Sequence, residues 1–437
     1  MLQDRSYRVR VEGLDWHAMF SFINITRSFR VAIHPAKMLL AMLMVIITYL
    51  SGLGLDEIFG QKIFSQSVSN ELYAFRDLIY SAISLDLGYH NFMSDAPTQS
   101  SGVLGALYQM VIGVPSAVYN DNPAFFGIFV FWIFILNVFF GGSISRLASL
   151  QATRDLRPSF TAGLLYTYHH FLSFIGALLL PLLIVTLISL LLAFVGLLFN
   201  YSITGLLGAL VFGFLIIGGI IISLLLIGFA GAANLMFASI TTDGTDAFDT
   251  ISRTYNYVMR QPWRFVFYNA FALIYGAITY TFLALLIFLA LWATKTFVGW
   301  WVFTDTDIAT TLGTQATNTF DAILPDPKLF ELPFYTEQAP EAGDAITAIV
   351  STWVKLLIAL LPAFAFSYYY TAQTFIYLLL RQHSDGTEPQ QVHIEPGDDP
   401  LENSMDNPKI ADKLIKEHAQ ERQERASNPN NSEQSSD

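Results

Sequence analysis

Residues 171–236 read FLSFIGALLLPLLIVTLISLLLAFVGLLFNYSITGLLGALVFGFLIIGGIIISLLLIGFAGAANLM, without one Asp, Glu, Lys or Arg. A bilayer core needs about 20 apolar residues as a helix, because each backbone polar group must be satisfied inside the segment. The stretch is long enough for two crossings, 171–199 and 206–236, folded into a hairpin about the short turn 200–205. A soluble helix pair of this length would carry charge on its outer face. This pair carries none, so its solvent is lipid.

Four further apolar runs lie at 38–55, 123–140, 265–293 and 349–380. The expected fold is therefore an all-α membrane protein with a six-span transmembrane domain over residues 38–380. The last four spans exceed the minimum length, so tilting or kinking at Pro181 and Pro362 is expected. Of the 437 residues, 53% are hydrophobic and 13% charged, the latter about half the share of a soluble domain.

Sidedness follows from Lys and Arg, which accumulate in cytoplasmic loops. In the segments 1–37, 56–121, 143–170, 200–205, 237–264, 304–345 and 381–437 they number 6, 2, 3, 0, 3, 1 and 6, alternating at every crossing. The poor segments include the acidic loops 56–121 and 304–345, which are placed outside. Both termini then lie in the cytoplasm. The run 103–119 is also apolar, but as a seventh span it would put Arg146, Arg154 and Arg157 outside, and Gly113 and Pro115 interrupt it. It is expected to be re-entrant or to lie on the membrane surface. Upstream, Leu72, Phe75, Ile79 and Ile83 recur at helical spacing, which predicts an amphipathic helix outside the membrane.

A weak repeat precedes the odd-numbered spans. Ser21-Phe22, Ser159-Phe160 and Ala247-Phe248 each open a short amphipathic stretch, so the fold reads as three helical hairpins, each with a cytoplasmic elbow helix. The segment 1–37 is polar and basic. The first span lacks a small-residue cleavage site and is expected to act as an uncleaved signal-anchor. Residues 381–437 form an acidic cytoplasmic tail too polar to bury a core, with a charged helix expected near 408–425 from pairs such as Asp412/Lys416 and Glu421/Arg425.

The net charge is −12, and no basic stripe exists to neutralise phosphates, so a nucleic-acid partner is not expected. Without cysteine there are no disulfides and no thiolate metal sites. His169-His170 lacks further ligands on its face, so no metal is expected. The spans hold almost no charge. Lys295 and Lys355 sit where they can snorkel, and Asn137 and Asn269 read as interhelical glue, which argues against an ion-coupled carrier. No phosphate-cradling loop, metalloprotease helix or nucleophile elbow occurs, so no catalytic residue or cofactor is assigned and the chain is not read as an enzyme. Asp305-Thr306-Asp307 reads as solvated acid. Tyr368-Tyr369-Tyr370 reads as packing inside the bundle in preference to a pore lining.

The best-formed local element is 241–264, TTDGTDAFDTISRTYNYVMRQPWR. Asp246 is placed to cap a helix with Asp249 in its first turn. Phe248, Ile251, Tyr255 and Met259 form an apolar stripe, Asp249, Arg253, Asn256 and Arg260 a polar one, and Pro262 ends the helix before Trp263 at the interface. The candidate partner-contact residues are Asp246, Asp249, Arg253, Asn256, Arg260 and Trp263. They describe either a coupling helix for a separate ATPase or an interface helix that packs under its own bundle, and the second arrangement is the commoner.

RSFRVAIHPAK before the first span, GGSISRLASLQATRD after the second, the 241–264 element and RQHSDGT after the sixth together resemble a family of bacterial polytopic inner-membrane proteins with no established activity, over residues 20–387. The resemblance implies a bacterial inner-membrane location. The expected role is a non-enzymatic structural or accessory subunit, with the lipid bilayer and cytoplasmic protein subunits as partners. The alternatives are a permease-type subunit coupled through 241–264 to an ATPase and, more weakly, a lipid-handling membrane protein.

Overall fold

The computed structural model describes residues 21–86, 88, 102–200, 202–299, 327–329, 332, 345–387 and 391–393. Residues 1–20, the helix expected near 408–425 and Asp305-Thr306-Asp307 lie outside these. Among the described residues all regular structure is helical. A 3-10 turn (Ser21–Thr26) leads into α1 (Arg27–Ala32), α2 (Pro35–Phe59) and α3 (Ile63–Ile83). Then come α4 (Gly102–Tyr108), a π-turn (Gln109–Gly113) and α5 (Val114–Asp121). α6 (Pro123–Leu136) passes through a second π-turn (Asn137–Gly141) into α7 (Gly142–Arg154). The order closes with α8 (Phe160–His169), α9 (Phe171–Gly196), α10 (Ser202–Asp243), α11 (Ala247–Arg260), α12 (Pro262–Gly299) and α13 (Ala345–Asp385).

Among the described residues seven helical stretches, against the six expected, are long and apolar enough to cross a membrane. The additional one is Gly102–Asp121. Gly113 and Pro115 do not break it. Gly113 closes the π-turn, and Pro115 falls in the first turn of α5, where its missing N–H is least needed. The run ends at Asn122, whose side chain accepts from the Ala124 and Phe125 amides at 3.1 Å and caps α6 ahead of Pro123. α9 and α13 continue through Pro181 and Pro362 without a break.

One end of the bundle gathers the start of α2 and the ends of α7, α10 and α13. Lys37 of α2 reaches Gln151 of α7 at 2.5 Å, Arg146 of α7 reaches Thr241 of α10 at 2.5 Å, and Tyr377 of α13 reaches Asp243 of α10 at 2.5 Å. At the opposite end Phe59, closing α2, meets Phe125, opening α6, at 5.5 Å. α2 and the continuous α6–α7 helix thus run in opposite directions between the same two ends.

Packing is concentrated at the first end. Residues Gly142 to Gln151 of α7 are all buried, as are 235–242 of α10 and 370–381 of α13. The sequence reading ended the second span at 140 and made 143–170 a loop. The helix instead runs on to Arg154, because its serines, glycines and alanines let neighbouring backbones approach closely. A Cβ on Gly142 would strike the Thr167 side chain, and Ser143 Oγ donates to Thr167 Oγ1 at 3.1 Å. α9 and the first half of α10, by contrast, stand out from the bundle with Leu190, Phe194, Leu210 and Phe214 exposed, a surface that only lipid or another apolar span solvates well.

α13 ties the spans together. At about 100° per residue, three consecutive positions of a helix point in three directions. Tyr368 donates to the Ala272 carbonyl of α12 at 2.7 Å, Tyr369 to Asn234 of α10, and Tyr370 to Asn137 at 2.8 Å. Gln373 donates to Asn269 of α12 at 2.9 Å, and Ser367 to the Ala32 carbonyl at 2.7 Å. Asn137 and Asn269 therefore each hold a second helix through their side-chain oxygens, and the tyrosine triplet lies in helix contacts.

Candidate functional site

The site is the polar cluster at the crowded end, built on the last turn of α10. The final four carbonyls of a helix have no intrahelical donor and carry the negative end of its dipole. Here three side chains supply donors. Tyr166 gives its hydroxyl to Ile240 O at 2.7 Å, Ser149 gives Oγ to Thr241 O at 3.3 Å, and the fully buried Arg146 gives Nη1 to the same oxygen. The Arg146 guanidinium also lies 4.0 Å over the Tyr166 ring, a cation–π contact that is strongest where water is excluded. Its charge is thus set against a helix terminus and an aromatic face.

Asp243 closes α10 and is the hub of the second half. A carboxylate at the negative end of a helix is unfavourable unless cations surround it. Arg381 donates Nη1 to it from α13, Tyr377 its hydroxyl, and Arg253 of α11 approaches at 3.4 Å. Side-chain exposure separates the two cations, at 4% for Arg381 and 43% for Arg253. The first is a structural pair, whereas the second is screened and contributes little. Arg253 also pairs with Asp249 at 2.8 Å, and that hydrogen bond raises the guanidinium's proton affinity. Tyr257 donates to Asp385, and burial first, then that bond, push its phenol well above its ordinary range. Gly244 follows with φ +64°, and the ring of His393 lies where its Cβ would be. The His393 amide donates to Thr242 O at 2.7 Å, while Arg381 Nη2 donates to Gln391 O at 2.6 Å. Residues 391–393 are thereby clipped beneath α10. At the edge of the cluster, burial first and then the nearby Lys37 and Arg157 charges hold His34 below the usual histidine range.

Each candidate partner-contact residue can now be placed. Asp246 is the N-cap of α11, accepting from the Asp249 amide at 2.9 Å. Asp249 and Arg253 pair with each other at 2.8 Å while each keeps over two-fifths of its side chain exposed, at 44% and 43%. Asn256, Arg260 and Trp263 are exposed, Trp263 at 85%. The apolar stripe is rotated from the expected one. Thr250, Thr254, Tyr257 and Val258 are buried, Ile251 and Tyr255 are half-buried, and Phe248 and Met259 face out. The reason is steric. α11 lies across glycines of its neighbours, where a Cβ at Gly228 would strike Tyr255, at Gly231 Val258, and at Gly176 Ala247. The buried threonines satisfy their hydroxyls locally, as Thr254 does on Thr250 O at 2.7 Å, so they can be enclosed without a partner on another helix. Removing the cap by Asp246→Ala is expected to cost about 1 kcal/mol and to speed proteolysis within 244–261, read by timed digestion in detergent.

Sequence reading missed Arg146, Asp243, Tyr377 and Arg381, which carry the cluster. Arg146 was counted as a loop charge, and the others sit beside apolar runs with nothing local to mark them. His170 stacks on Tyr166 at 4.4 Å. Among the described residues no group of three His, Asp or Glu is placed to hold a metal ion. Beside the cluster, Arg260, Gln261, Pro262, Trp263, Arg264 and His383 surround an open hollow of about 420 Å³. No protein-family model, no curated protein and no solved structure matches this chain.

Proposed function

We propose that the chain is a six-span protein of the bacterial inner membrane, with both termini in the cytoplasm, acting as a non-enzymatic structural or accessory subunit of a membrane assembly. Two features support the six-span reading. The start of α2 and the end of α13 lie at one end, which requires an even number of crossings. That end also carries Arg154, Arg157, Arg260 and Arg264, as the positive-inside rule asks. Gly102–Asp121 is then a helix that does not complete a crossing, and the turn before α2, α8 and α11 are the three elbows.

The observation that carries the role is the closure of the polar cluster. Arg146, Asp243, Tyr377 and Arg381 spend hydrogen bonds on holding α7, α10 and α13 to one another, as a scaffold requires. The exposed wall of α9 and α10 is the surface left for lipid or for a partner's spans. Reporter fusions after Asp155 and Gly244 are expected to read inside, and one after Thr317 outside. Purification in mild detergent followed by native mass spectrometry is expected to recover integral membrane partners. Stoichiometric recovery of a nucleotide-binding subunit would instead make the chain a permease coupled through the exposed face of α11.

A further inference from the structure

The hollow between the end of α11, the start of α12 and the end of α13 has the makings of a ligand site that the scaffold does not use. Arg260 and Arg264 stand on its rim and make no hydrogen bond or ion pair with any described residue. This contrasts with Arg146, Arg253 and Arg381, all engaged a few residues away. Two arginines left solvated near one another repel, and no carboxylate among the described residues pairs with either.

The surroundings say what would. Pro262 begins the 38-residue α12 and has no N–H, and the Phe265 amide donates to Gln261 O at 3.0 Å, which leaves the Trp263 and Arg264 amides as the first-turn donors toward the N-terminal end. His383 anchors Nδ1 on Leu379 O at 2.8 Å, which turns its other nitrogen away from its own helix. Gln261 Oε1 is shielded from solvent without a hydrogen-bond partner. Trp263 stands 85% exposed at the mouth, with Val266 and Phe267, 55% and 50% exposed, one turn further along α12. Guanidinium groups with helix N–H groups select a phosphate oxyanion. A tryptophan above an apolar helix face marks the headgroup level of a bilayer. The nearest carboxylate on α13, Asp385, is turned to Tyr257.

We propose that this hollow binds the phosphate of an anionic phospholipid, with Arg260 and Arg264 on the phosphate and the acyl chains along Val266 and Phe267. Phosphatidylglycerol carries an anionic phosphate and no headgroup cation to compete with the arginines, so it is the probe. Free phosphate shares the anion chemistry but has no use for Trp263 or the apolar face.

The full chain in mild detergent, with added phosphatidylglycerol, phosphatidylcholine or inorganic phosphate, separates these sources. Native mass spectrometry is expected to show one retained phosphatidylglycerol and preferential thermal stabilisation by it over phosphatidylcholine. Arg260→Gln/Arg264→Gln is expected to weaken retention on the order of 10- to 30-fold. Arg260→Lys/Arg264→Lys keeps the charge and is expected to hold most of it. Both variants change exposed side chains, so the melting temperature without lipid should not move. Unchanged retention in the glutamine variant overturns the site. Equal stabilisation by millimolar inorganic phosphate overturns the lipid assignment.

Discussion

Arg146→Leu is expected to be the most damaging single substitution in the membrane domain, lowering stability by about 3–5 kcal/mol. Leucine fills part of the volume but donates nothing, so Thr241 O, at the negative end of α10, keeps only the 3.3 Å bond from Ser149. The Tyr166 ring loses the cation stacked on it. Because the site is fully buried, water cannot replace the missing donor without opening the contact between α7 and α10. Arg146→Lys should fall between the two, since lysine restores a charge but not the flat group that stacks and donates together. Unfolding in mixed micelles titrated with SDS, followed by helix signal, measures the differences. An Arg146→Leu protein within about 1 kcal/mol of the parent would show that the helix end is not held by this side chain.

Asp243→Asn should cost nearly as much, about 3–5 kcal/mol, by a different route. It preserves shape and removes the charge, leaving Arg381 at 4% side-chain exposure opposite a neutral amide. The damage is in the stranded cation, so removing both charges should undo much of it. Asp243→Asn/Arg381→Met is expected to be more stable than Asp243→Asn alone, with a coupling between the two sites of at least about 1 kcal/mol. Additive losses would mean that the two residues act separately. Arg253→Gln, at the exposed side of the same carboxylate, should change stability by less than about 1 kcal/mol.

The membrane character of the chain was plain from residues 171–236, because twenty uncharged residues in succession admit few structures besides a spanning helix. The cap at Asp246 was equally legible, since capping depends on neighbours in sequence. What could not be read was anything decided between helices. The face that α11 buries is set by what lies on other elements, among it Gly231 and Gly176, so the stripe of largest apolar residues is rotated from it, with Ile251 and Tyr255 half-buried and Phe248 and Met259 facing out. Arg146 looked like a loop charge because its partners are backbone carbonyls 95 positions away, and a carbonyl has no signature in sequence. Gly113 and Pro115 signal an interruption by composition, yet a π-turn absorbs both. Local rules located the helices, and long-range contacts chose their faces.

The three tyrosines of α13 also bear on how the bundle is made. During synthesis α13 emerges after α6, α10 and α12, the helices that carry Asn137, Asn234 and Ala272. Until it arrives, both asparagines lack the hydroxyl that each later receives, and they face lipid or one another. Packing of α13 against the earlier helices acts as a keystone, joining α6, α10 and α12 into one body.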